Sequence, residues 1–134
     1  MRTKFLVVMV AAVLLASAGR ALAHHSFSAE FDATKSFKMT GTVTKVEWMN
    51  PHTFFYIDVV DEKTKKVTNW AMEMGSPNGL MRQGWTRNSM KVGDKVTVDG
   101  SLAKDGSPTG NARSVVLEAT GKKLFAASSQ GTTP

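Results

Sequence analysis

The sequence predicts a mainly β domain, a small barrel of five to six strands with one short helix between strands 3 and 4. Three observations carry this. Apolar residues alternate with polar ones over several short segments, the two-residue period of half-buried strands. Turn-forming chemistry separates the segments: Asn50-Pro51, the charged run 61–66, Val92-Gly93-Asp94 and the Gly/Pro/Asp-rich run 103–111. The alternation breaks once, at "SPNGLMRQG", where a helix start and a helix stop stand a short helix apart.

The first strand is read over 37–50. Phe37, Met39, Gly41 and Val43 share one parity, and then Val46 and Trp48 carry the apolar signal. A slip of one residue in a period of two marks a bulge or sharp bend near Thr44–Lys45. A long bent strand of this kind serves both halves of a closed barrel. Asn50-Pro51 ends it, because proline lacks a donor and restricts its neighbour. "TFFYIDVV", 53–60, is aromatic and β-branched and reads as strand 2. "VTNWAMEM", 67–74, is strand 3, with Thr68, Trp70, Met72 and Met74 on one face and Asn69, Ala71 and Glu73 on the other. Ser76 stands where a helix N-cap belongs, Pro77 at the first helical position and Gly84 at the stop, which predicts a helix over 77–83 weakened by Gly79. Strand 4 is expected over 95–102 with Val96 and Val98 inward, strand 5 over 112–118, and a last short strand in "GKKLFA". The order β-β-β-α-β-β, with a bent first strand, is that of an OB-fold barrel, and a partly open sandwich is the alternative.

The chain of 134 residues begins with Arg2 and Lys4, an apolar run from Phe5 to Ala16, and Ala21 and Ala23 around a small-x-small site. This is the pattern of a cleaved Sec-type signal peptide over residues 1–23, with a run too short for a membrane span. It implies a periplasmic or secreted protein. A 24–36 arm, a barrel domain over 37–125 and a disordered tail over 126–134 would follow. No cysteine is present, which excludes disulfides, lipid attachment through cysteine and thiolate metal sites. Loss of Arg2, Lys4 and Arg20 would lower the 17 Lys and Arg to 14, against 11 Asp and Glu. So small an excess demands no polyanionic partner.

The stretches "HHSFSAEFD", "GTVTKVEWMNPH", "NWAMEMGSPNGLMRQGW", "VGDKVTVDG" and "NARSVVL" together resemble a family of small exported bacterial proteins known only as a domain of unknown function. The likeness runs from His24 to about Phe125. It implies an export signal and an OB-like barrel, and carries no catalytic residues. A looser likeness to other periplasmic OB-fold proteins concerns the fold alone.

The three histidines are His24, His25 and His52. Cleavage after Ala23 would give His24 a free α-amine beside its own ring nitrogen, a ready chelate. A second imidazole completes a three-nitrogen site, a histidine brace. Nitrogen-rich tetragonal sites suit Cu(II), with zinc the second choice. His52, in "NPH", lies in the strand 1–strand 2 loop, at the rim an OB barrel uses for ligands. The arm is long enough to reach it at about 3.3 Å per extended residue. Glu30 and Asp32 are the nearest carboxylates in sequence. Against this stand plain structural roles: a solvated His-His end, and a His52 that orients its turn.

Met49, Asn50, Trp85 and Arg87 are further candidates for a ligand face or for supporting the site. Met72 and Met74 have the softness Cu(I) favours, but at strand spacing methionine is ordinary core filling. Arg82 and Arg87 near Trp85 form a candidate anion site, or else an ordinary cation packed over a ring. Trp48, Trp70, Trp85, Phe54, Phe55 and Tyr56 invite a base-stacking reading, but no basic stripe is interleaved with them, so no nucleic-acid partner is expected. Enzyme motifs are lacking: no cysteine nucleophile and no serine in a nucleophile elbow. The sequence thus points to an exported, soluble binding module, with copper or zinc at His24, His25 and His52. The alternatives are a metal-free adaptor for a protein or small ligand and, more remotely, a copper-dependent oxidase.

Overall fold

The computed structural model describes residues 27–127. Six strands follow in order: β1 (Phe31–Glu47), β2 (Phe54–Val60), β3 (Val67–Glu73), β4 (Lys95–Ala103), β5 (Thr109–Leu117) and β6 (Lys122–Phe125), with a helix at Pro77–Arg82 between β3 and β4. They form one sheet in the order β3-β2-β1-β4-β5-β6, antiparallel except for a short parallel pairing of β3 with β5 that closes the ring through five strands. This is the OB-fold-like barrel that the strand order predicts.

β1 is the strand that makes closure feasible. Its second half, from Thr42, pairs with β2, while Phe31 to Thr42 pairs with β4. The register slips between Val43 and Lys45, so Thr44 is the extra residue, at the position the parity shift indicates. Gly41 lies just before the bend, and a Cβ there would sit 2.6 Å from the Asp58 carbonyl oxygen, so the β1–β2 approach requires glycine. The strand starts at Phe31 rather than Phe37. The stretch 31–36 is too polar to show an apolar period, and a second register shift between Asp32 and Ser36 hides what period there is. Asp32 accepts from the Thr34 amide and hydroxyl in that bulge.

The interior holds Val43, Phe55, Ile57, Met72, Met74, Val96, Val98, Ala112 and Val115. Val96 and Val98 face inward as expected, and Met72 and Met74 are core residues. The helix closes one end of the barrel through Leu80, followed by Trp85 and Met90. Ser76 is its N-cap and accepts from the Gly79 amide at 3.2 Å. Gly84, at φ 94°, turns the chain out of it. Ala126 and Ala127, expected in a disordered tail, are buried. Ala126 donates to the Arg113 carbonyl and accepts from the Gly75 amide, which ties the chain across the β3–β5 seam. The expected signal peptide, His24, His25 and the rest of the tail lie outside the described residues. Among the described residues no helix is long and apolar enough to cross a membrane.

Candidate functional site

The loop between β1 and β2 carries Met49, Asn50, Pro51 and His52, and its Asn50–Pro51 bond is cis. Met49 and Asn50 are exposed. Beyond the proline the ladder begins at once: the Thr53 amide donates to the Gly75 carbonyl and the Met74 amide to the Thr53 carbonyl. Phe54 then pairs with Glu73. This register decides what His52 meets. Phe55 and Ile57 point into the core, so Phe54 and His52 point to the outer face. Met72 and Met74 point inward, so Glu73 points outward. His52 and Glu73 are therefore diagonal neighbours on one face of the hairpin, and His52 Nδ1 lies 3.1 Å from Glu73 Oε1.

Glu73 is a buried carboxyl, with 8% of its surface exposed. Burial pushes its pKa up from the ordinary carboxylate range to about 7, and the negative charge of Glu30 adds to the rise. Desolvation is the larger of the two causes. Glu30 is exposed, in the helical turn 27–30 just before β1. Its carbonyl accepts from the Lys104 amide, which anchors that turn beside β4. Phe27 packs on the buried Phe31 with ring centroids 5.6 Å apart.

Asn111 sits opposite Glu73 in the parallel β3–β5 pairing. It is buried, and among the described residues its Nδ2 has no hydrogen-bond partner; the same is true of Thr53 Oγ1. The outer seam thus brings together His52, Glu73 and Asn111, with the charge of Glu30 in reach. Sequence reasoning missed Glu73 and Asn111. Asp32, one of the two carboxylates nearest in sequence, is engaged with Thr34 instead.

Trp85 is buried and donates from Nε1 to the Phe125 carbonyl at 2.8 Å, so its ring belongs to the closed end of the barrel. Arg82 and Arg87 are exposed. A separate cluster holds Lys45, Glu47 and Tyr56. The Tyr56 hydroxyl donates to Glu47 at 3.0 Å, and Lys45 lies 2.5 Å from the same carboxylate and 5.3 Å from the Tyr56 ring centre. It braces β1 to β2 beside the bulge. Among the described residues no three His, Asp or Glu side chains are grouped to hold a metal ion; two of the three predicted ligands, His24 and His25, lie outside them.

Fold and site together define a small closed β-barrel of the OB type, carrying a partly exposed histidine beside a buried carboxyl on its outer wall. The chain belongs to a family of unknown function, DUF6152, whose model matches residues 11–113. No curated protein matches it.

Proposed function

We propose that the mature protein is an exported metal-binding module that holds copper between its N-terminus and His52. Signal cleavage after Ala23 supplies the α-amine and ring of His24, and His25 stands beside them. His52 supplies the imidazole fixed by the barrel. Such a nitrogen-rich set favours Cu(II) over other divalent ions, with zinc next.

The observation that supports this best is electrostatic. Glu30, six residues after His24, bears on Glu73, and Glu73 touches His52. The charge at the base of the arm is thus felt at the carboxyl that meets His52, and six residues span up to about 20 Å when extended. The exposed Glu30 carboxylate also attracts a cation and offsets its charge.

The first test is N-terminal sequencing of the exported protein, followed by copper and zinc titration of that form. A start at His24 with one copper bound per chain supports the module. A start at Gly19 removes the chelate, and a start at His25 removes His24 from it. A mature chain that binds neither metal is a metal-free adaptor instead.

A further inference from the structure

We infer that Glu73 is a positioning residue: its carboxylate accepts the Nδ1 proton of His52, fixes the ring in the Nδ1–H tautomer, and leaves Nε2 as the donor atom facing outward. A neutral imidazole has one N–H and one lone pair, and which nitrogen keeps the lone pair depends on what the other one bonds. Nδ1 lies 3.1 Å from Glu73 Oε1, an acceptor-only atom when ionised. No described residue bonds Nε2, and the ring is about one-third exposed. Glu73 has its backbone fixed by the sheet on both sides. It is the last residue of β3, paired on one side to Phe54 and on the other to Asn111. Carboxylate–histidine pairs of this kind orient metal-binding imidazoles and raise their basicity. The use of Nε2 for metal rests on the proposed function; the tautomer does not.

The test is nitrogen-15 NMR of the imidazoles in the metal-free mature protein at pH 8. The His52 signals are assigned by their loss in His52→Gln. The expected result is a protonated Nδ1 and an unprotonated Nε2 in the native protein, and loss of that preference in Glu73→Met, which has no acceptor. A protonated Nε2 in the native protein, or an unchanged tautomer in Glu73→Met, overturns the inference. If the variant does not fold, the native spectrum decides alone. Copper titration of the same two proteins is the separate readout. Glu73→Met is expected to weaken binding by about 10–100-fold. A native protein with the Nδ1–H tautomer that binds no copper leaves the positioning role standing and removes the metal reading.

Discussion

His52 and Glu73 meet diagonally across the β2–β3 ladder, Nδ1 to Oε1 at 3.1 Å, on the outer wall of a closed barrel. Their register makes a one-third-exposed ring and a buried carboxyl into a unit.

Because Glu73 is pushed up to about 7 from an ordinary 4.5, the folded protein holds a proton there that the unfolded chain has lost. Folding therefore takes up a proton between those values, and stability falls as pH rises from about 4.5 to 7. The effect is at most about 3 kcal/mol. Urea unfolding of the metal-free protein between pH 5 and 8 measures it. Glu73→Gln is expected to flatten this part of the profile and to be the more stable protein at pH 8. A variant with the native slope would show that the proton resides elsewhere.

Gly100 allows β4 and β5 to close at their register shift. A Cβ there would lie 1.9 Å from the Asn111 carbonyl oxygen, a backbone atom that cannot move alone. Gly100→Ala is expected to destabilise the barrel by about 3 kcal/mol, measured by denaturant midpoint. Because Asn111 lies beside Glu73, the His52 NMR signals are expected to shift as well. Unchanged stability would contradict the tight β4–β5 crossing.

Trp85 ties the helix exit to the end of β6 through its bond to the Phe125 carbonyl. Trp85→Phe keeps most of the apolar contact and loses the donor. The expected loss is about 1–2 kcal/mol, with no change in metal affinity, since the ring is buried in the core and touches no proposed ligand. A Trp85→Phe protein of native stability but weakened metal binding would place this residue at the site instead.

Much of this fold is legible because its signals are local. The parity slip at Thr44 is a bulge seen directly in the residue pattern, and Ser76, Pro77 and Gly84 each act within one helical turn. The closure of β3 on β5 is not legible, because three parallel pairs between Ala71 and Thr109, Met72 and Gly110, and Glu73 and Asn111 leave no local mark. The site divides along the same line. His52 stands out as one of three imidazoles, after a proline at a barrel rim. Glu73 does not: on the polar face of a strand it reads as solvent-facing, and only the register, extended by the Thr53–Met74 pair, buries it beside His52. The first residues of β1 escape for a third reason, since the bulge between Asp32 and Ser36 erases the alternation that marks a strand.

A free His-His terminus chelates copper by itself, so binding alone does not test the proposed site; dependence on His52 does. The most direct measurement is the Cu(II) affinity of the exported, correctly processed protein against His52→Gln, with the electron paramagnetic resonance spectrum of each. The expected result is one copper per chain and an affinity at least about tenfold lower in the variant, with the loss of one nitrogen from the spectrum. Equal affinities and identical spectra would contradict a site shared between the N-terminus and the barrel.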